Sequence, residues 1–326
     1  MKYTIREISE ITNVAVSTVS KALNGQKGVS EKKRQEILRI AEKVHYQPNA
    51  NARALAHRKT STIGLIVPGD ADYSLSGVYW SVLIAAIAKE ANSQKYNLML
   101  ICPDLQRPDQ TISEIIQKQA VDGLIIPSEL VTKKDVKALM EAGLPFVMQG
   151  CSPVAEHCCV DVKNKDGARK LTAALIARGY KRIGCVAGDR KLLYTQERVE
   201  GFMEEMKNAG FANDAILYTS YSKEETQENI RTFTEAFPDL DALFISAGGE
   251  FPFYIIDVLK EKNYDLHAFG LAVFGDYTPY HYLPYRIITA SQPVRKMGIQ
   301  DTKNLLQLIN KETPPSLSLF DTEIQS

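Results

Sequence analysis

No run of eighteen apolar residues occurs in this 326-residue chain, so a membrane-crossing helix is not expected. The start of the chain passes directly into a helical pattern with no secretory leader, which predicts a cytoplasmic protein. The five histidines, His45, His57, His157, His267 and His281, are scattered without metal-ligand spacing, and no metal site is expected. Cys102, Cys151, Cys158, Cys159 and Cys185 form no C-x-x-C pair and suit a reducing compartment. The adjacent Cys158-Cys159 leaves two readings open, a thiol sensor or a pair of which one points into a strand core. No G-x-G-x-x-G follows a strand, no G-x-x-x-x-G-K-[ST] occurs, and no Ser, His and acid fall into a nucleophile motif, so neither catalysis nor a cofactor is expected. Gly248-Gly249 is the one candidate phosphate loop, and a plain glycine turn explains it as well.

Net charge is also lacking, but its zero is a cancellation. Residues 1–60 carry twelve Lys and Arg against five Asp and Glu, a net of +7, and residues 61–326 carry the compensating −7. A compact basic module joined to an acidic body suits phosphate attraction, because each neutralised phosphate releases counterions. A merely solvated basic face is the plainer alternative.

The first segment reads as three short helices. Thr4 followed by Glu7 forms a capping box, after which Ile5, Ile8 and Ile11 share a face. Thr12-Asn13 makes a turn, and Val16, Val19, Ala22 and Leu23 recur at helical spacing, leaving Ser17, Thr18, Ser20 and Lys21 on the remaining surface. Asn24-Gly25 stops that helix. A third, capped by Ser30, is predicted from Glu31 to about Val44, burying Ile37, Leu38, Ile40, Ala41 and Val44 and showing Lys32, Lys33, Arg34 and Arg39 to solvent. The pattern is a helix-turn-helix, and DNA is the expected partner. Residues 48–59 follow as a stretch with helical propensity but too short to be stable alone.

From Thr60 onward apolar runs alternate with amphipathic stretches. Ile63–Val67, Leu98–Ile101, Gly123–Ile126 and Phe146–Met148 read as buried parallel strands separated by helical segments such as Val78 to Gln94. The pattern repeats with strands near 182–187, 215–219, 242–246 and 271–274 and helices near 166–178, 194–209, 223–237 and 252–262. Two doubly wound subdomains are expected, with a ligand cleft between them.

The run Thr4 to Asn24, then Val29-Ser30, Tyr46-Gln47-Pro48-Asn49 and Ala52-Arg53-Ala54-Leu55-Ala56, resembles the headpiece and hinge of the lactose-repressor/galactose-repressor (LacI/GalR) family of bacterial transcription regulators. The similarity extends along nearly the whole chain. It implies an α/β fold class: an N-terminal three-helix helix-turn-helix headpiece at 1–47, a hinge helix or linker at 48–60, and a periplasmic-binding-protein-like body at 61–326 built of two doubly wound parallel-sheet subdomains. Subdomain 1 is expected at about 61–160 plus 291–316 and subdomain 2 at about 161–290 plus 317–326, with crossovers near Asp161, Ser291 and Leu317.

The resemblance further implies base readout in the major groove by Val16, Ser17 and Lys21, and phosphate contacts from Thr4, Thr18, Asn24, Ser30, Tyr46 and Asn49. Leu55 would enter the minor groove as a wedge; its alternative is packing against the body. One departure stands at Ala15, where the family usually has Ser to cap the recognition helix.

For the cleft, Arg198 in Arg198-Val199-Glu200-Gly201-Phe202 matches an effector-binding arginine, and its guanidinium suits sugar hydroxyls, a carboxylate or a phosphate. Tyr79, Trp80, Tyr194 and Tyr221 fall on segments expected to face the cleft, where rings stack on a sugar or base. Trp80 reads equally well as helix core. Gln292 matches a lining crossover position. Ala247-Gly248 and Gly275-Asp276 replace a familiar set of ligand-orienting carboxylates, for which Glu250 and Asp276 are candidate substitutes.

The expectation is therefore a homodimeric operator-binding repressor controlled by a small, carbohydrate-like effector. A solute-binding protein with the same body and a regulator governed by a protein corepressor are the alternatives. No heptad stretch follows Leu317-Ser318-Leu319-Phe320, which favours a dimer over a tetramer.

Overall fold

The computed structural model describes residues 3–23, 25–44, 46, 59–68, 78–103, 107, 110–152 and 157–325. The chain divides into two compact units, Met1–Thr60 and Ser61–Ser326. Asn24, Asn49 and Leu55, and with them the whole stretch 47–58, lie outside the described residues.

The first unit contains α1 (Ile5–Thr12), α2 (Val16–Leu23) and α3 (Glu31–Lys43). Both halves of the Thr4–Glu7 capping box are formed, and α1 ends on Asn13, whose left-handed conformation (φ 48°) turns the chain toward α2. Ile8, Val19, Ala22, Ile37 and Ala41 form the small core. Three predicted core positions behave otherwise: Ile11, Val16 and Leu38 are exposed, because three short helices have too little inner surface to take them all. Ser30 stands at the start of α3 without a side-chain cap bond. Lys33 and Arg34 also depart from the expected free basic face. Lys33 Nζ donates to Thr12 O at the end of α1 (3.0 Å), and Arg34 Nη2 donates to Gln26 O (2.6 Å), so both tie the helices together.

The second unit holds two six-stranded sheets. The first is built from β1 (Thr62–Ile66), β2 (Asn97–Ile101), β3 (Gly123–Pro127), β4 (Phe146–Gln149), β5 (Cys159–Val162) and β11 (Leu317–Phe320), in the order β11-β5-β4-β3-β1-β2. The second has β6 (Ile183–Ala187), β7 (Ile216–Tyr218), β8 (Ala242–Ile245), β9 (Gly270–Phe274), β10 (Ile288–Ser291) and β12 (Glu323–Gln325), in the order β12-β10-β9-β8-β6-β7. All pairings are parallel except β10 with β12. Helices α4 (Val78–Ser93), α5 (Thr111–Lys118), α6 (Lys133–Ala142) and α11 (Val294–Ile309) flank the first sheet. Helices α7 (Asn164–Ile176), α8 (Leu193–Asn208), α9 (Lys223–Ala236) and α10 (Phe251–Glu261) flank the second.

The first crossover follows Cys159–Val162, the last strand of this stretch in the first sheet and beside the expected Asp161; the one expected near Leu317 shifts. Leu317–Phe320 pairs in parallel with β5, so it belongs to subdomain 1 and not to subdomain 2; only β12 returns to the second sheet. Two short strands on either side of Asp321-Thr322 cannot be assigned to different sheets from apolar patterning alone.

One core cluster runs through both lobes, joining Leu83, Ile87 and Val160 to Phe202, Phe244 and Phe274. Tyr79 and Trp80 pack against it, edge-on to each other at 5.8 Å. At the crossing of α7 and α8, Gly201 lies so close to the Lys165 carbonyl that a Cβ would sit 2.2 Å from its oxygen. These two helices meet backbone to backbone, which requires glycine there.

Candidate nucleic-acid interface and effector cleft

In the first unit α2 presents Val16, Ser17 and Lys21 to solvent, while Thr18 is half-buried. Val16 is 39% exposed although Val19 on the same helix is fully buried, so the outer face keeps an apolar side chain beside Ser17 and Lys21. A methyl-bearing, hydroxyl-bearing and cationic set on one exposed helix face is the chemistry that reads base edges. Ala15 precedes this helix, and its carbonyl accepts from the Thr18 and Val19 amides, but it has no side-chain oxygen to cap the free N–H groups. Thr4 spends its hydroxyl on Glu7, donating at 2.9 Å, and Tyr46 packs half-buried on the small core.

In the body the carboxyl ends of both sheets converge on Arg198. This side chain lies on α8 and is only 8% exposed. Its Nε donates to Asn164 Oδ1 at 2.8 Å and its Nη1 to the Ser246 carbonyl at 2.7 Å. The guanidinium stacks on Phe274 at 3.8 Å and faces Tyr194 at 4.9 Å. Burial lowers its pKa, opposed by the fields of Tyr194, Tyr221 and Asp161. Asp161, at the end of β5, accepts from the Cys151 and Val162 amides (2.9 and 2.7 Å) and from Asn164 Nδ2 (3.1 Å). Desolvation nonetheless raises its pKa above the ordinary carboxylate value.

The tyrosines close the arrangement. Tyr194 and Tyr221 hydroxyls lie 3.4 Å apart, and Tyr221 lies over Gly188, where a Cβ would be 2.2 Å from its hydroxyl oxygen. Burial raises the phenol pKa of Tyr79, and Asp161, Asp301 and Glu129 raise it further. A cavity of about 530 Å³ meets this network at Asp161 and Asn164; its remaining walls are Cys151, Leu317 and Leu319 and the charged side chains Lys163, Lys165, Asp166, Arg169, Glu197 and Glu204, with Arg198 and the tyrosines behind them. Its size suits a sugar-sized molecule.

Several expected site residues lie elsewhere in the hydrogen-bond pattern. Asp276 is exposed and accepts from His281 Nε2 at 3.1 Å. Glu250 stands half-buried at the start of α10 without a cap bond. Gln292 lies near Gly275, its Nε2 3.6 Å from where a Cβ would stand. Gly248 packs against the Gly275 backbone, and the Gly249 carbonyl accepts from Tyr280 Oη at 2.6 Å, so this pair serves a tight junction of two loops. Cys158 and Cys159 are both buried, not one of the two. Burial pushes the Cys158 thiol up to about 11, which disfavours the thiolate a sensor needs. Cys159 differs in direction: its hydrogen bond with Cys151 holds its thiol below the ordinary value, against the opposing effect of burial.

The residues missed are Gln149, Asn164, Ser246, Phe274 and Asp301. Asp301 had a readable signal: it follows Met297 and precedes Leu305 by four residues each, which places a carboxylate on the apolar face of α11.

An exposed recognition-type helix on a basic headpiece, followed by a two-lobed body whose sheet ends converge on a buried arginine, defines a helix-turn-helix regulator with a solute-binding body. Residues 4–49 match the bacterial regulatory proteins of the lacI family, and residues 60–319 match the periplasmic binding proteins and sugar binding domain of the LacI family. The chain belongs to the LacI family of bacterial regulatory proteins. It is 25% identical over 315 residues to the ribose operon repressor of Halalkalibacterium halodurans, covering 95% of this chain and 91% of that one. It is 26% identical to the transcriptional regulator GalR of Escherichia coli K12, covering 97% and 92%. Its fold matches the lac repressor dimer bound to operator and the anti-inducer ONPF with a TM-score of 0.83 at 19% identity, covering 100% of this chain and 98% of that one. The CelR–cellobiose complex matches at 0.75 and 22% identity, covering 100% and 99%. These relatives are named as transcription regulators, not enzymes. Among the described residues no helix is long and apolar enough to cross a membrane.

Proposed function

We propose that this chain is a cytoplasmic, non-enzymatic transcription repressor that binds operator DNA as a homodimer and is controlled by a small polar effector held between its two lobes. The observation that carries this reading is the pairing, in one chain of this family, of the exposed Val16–Ser17–Lys21 face with the buried Arg198 network. Val16, Ser17 and Lys21 read bases; Thr4, Thr18, Ser30 and Tyr46 hold phosphates, as do Asn24 and Asn49, and Leu55 wedges the minor groove. In the cleft Arg198 holds the effector with Tyr79, Trp80, Tyr194, Tyr221 and Gln292 around it. Arg198 bridges Asn164 at the start of α7 and Ser246 at the end of β8, so an effector that takes over its donors favours one packing of these elements. By linkage, an effector that changes operator affinity has its own affinity changed by operator to the same degree.

The test is selection of preferred sites from a random DNA pool with the full chain, followed by addition of a small-molecule extract. Wild type should select a two-fold-symmetric site and lose or gain affinity with extract. Lys21→Ala should change the selected sequence, and Arg198→Lys should bind the site but ignore the extract. A chain that selects no sequence, or an Arg198→Lys protein that responds normally, overturns the reading.

A further inference from the structure

Among the described residues two buried side-chain oxygens close to strand ends have no hydrogen-bond partner: Asp301 Oδ1, on α11 beside Gln149 at the end of β4, and Ser246 Oγ, which follows β8. Ligands of doubly wound sheets bind at such strand ends. Asp301 is the more demanding of the two. It is 0% exposed, and its other oxygen has a single long bond, from the Gln149 amide at 3.4 Å. Gln149 closes β4, which places the Asp301 carboxyl at the edge where Asp161 and Tyr79 also lie.

The charges around it do not balance. Asp161 and Asp301 press on each other, and Glu197, half-buried on the cavity wall, adds to the field at Asp161. The nearby cations are already engaged: Arg198 by Asn164, the Ser246 carbonyl and two aromatic rings, Lys163 by Asp321, Lys165 by Glu200 and Glu204, and Arg169 by Glu204 and Glu205. Among the described residues Asp301 has no ion pair, and no three His, Cys, Asp or Glu side chains converge to cage a metal ion. What is missing is a positive donor delivered by something larger than a metal ion. Burying an unpaired carboxylate is costly, and a charge-assisted bond to an ammonium is the direct remedy.

We propose that the effector bears a protonated amine, which Asp301 accepts while the sugar-sized remainder presents hydroxyls to Ser246 and Arg198. The proposal rests on the small-effector reading above and narrows it to amine-bearing, sugar-like molecules. The ring of Tyr79, close enough to Asp301 to feel its field, supplies a further surface favourable to a cation. Asp301 is thus a specificity-determining residue that selects against neutral and anionic molecules of the same shape.

The test uses the full chain with glucosamine, galactosamine and mannosamine, their neutral parent hexoses, and their N-acetyl derivatives, read by thermal shift and calorimetric titration. At least one hexosamine should bind, and its parent hexose and N-acetyl form should bind about tenfold or more weakly. Asp301→Asn should erase that preference. The same variant should unfold at a temperature equal to or above wild type, which separates lost recognition from lost folding. Neutral sugars binding as well as amines, an unchanged preference in Asp301→Asn, or no hexosamine binding at all overturns the proposal. If a neutral sugar binds and Arg198→Lys abolishes it, the amine fails while the cleft reading stands; if no extract component alters operator binding, the cleft reading itself fails.

Discussion

The headpiece and the body treat polarity in opposite ways. Among the described residues the headpiece buries only Ile8, Val19, Ala22, Ile37 and Ala41 as its apolar core and leaves Ile11, Val16 and Leu38 exposed, and polar bonds from Thr4, Lys33 and Arg34 fix its helices. The body also exposes apolar side chains, Met140 and Leu317 among them, but it has large apolar clusters and buries Arg198, Asp161 and Asp301 beside them. A surface that must meet base edges gains from stray apolar groups outside, and a cleft that must recognise a polar solute gains from desolvated charge inside. Stability and recognition therefore draw on different residues in each unit, and substitutions should separate them.

The largest effect is expected at the α7–α8 crossing. Gly201→Ala forces two backbones apart and should cost about 3 kcal/mol, lowering the main thermal transition of the body by roughly 8 °C. An unchanged transition would show that the helices can slide freely. Lys33→Ala loses the bond to Thr12 O and should cost the headpiece about 1 kcal/mol. It should speed hydrogen exchange in α1 and weaken binding to all DNA sequences alike, with the body transition unmoved. A change in sequence preference would instead place Lys33 at the bases.

Acid and base should then divide the two units. Backbone and hydroxyl bonds from Thr4 hold the Glu7 carboxyl below its usual pKa. The capping it provides is present above the ordinary Glu range and is lost as pH falls through the lowered value. Burial raises the Asp301 pKa well above the ordinary carboxylate range, so its contribution runs the other way: full in acid, and lost as pH rises from the ordinary Asp value toward the raised one. Hydrogen exchange followed separately in α1 and α11 against pH should show opposite slopes, and parallel slopes would remove one of the two assignments. The smallest effect is expected from Ala15→Ser, which adds an acceptor at the start of α2. A gain of about 0.5–1 kcal/mol in headpiece stability, with unaltered sequence choice, is the expected outcome of denaturation and site selection.

Much of this architecture is legible in the chain because period and punctuation coincide. The helix predicted at 194–209 is observed at Leu193–Asn208, and that predicted at 223–237 at Lys223–Ala236, since both faces are patterned. What escapes is decided by long-range partners. Leu317–Phe320 has alternating exposure and no strong burial signature, so its sheet is fixed by its pairing with Cys159–Val162, far away in sequence. Ser246, Asn164 and Gln149 are ordinary polar residues at element ends. They become site residues only when two sheets bring their carboxyl edges together. Lys33 looks like every other exposed lysine until the end of α1 presents a free carbonyl to it.

The return of β11 to the first sheet has a consequence for how the protein is made. A ribosome that has translated through Ser291 has produced β1 to β10, yet the outer edge of β5 still awaits Leu317–Phe320. The second lobe likewise awaits β12 beside β10. Both lobes are completed by the same short stretch, Leu317–Gln325, made well after the strands it pairs with on the first sheet. Open edges of this kind are prone to pairing with neighbouring chains, whereas the headpiece, made of local contacts, waits for no distant strand.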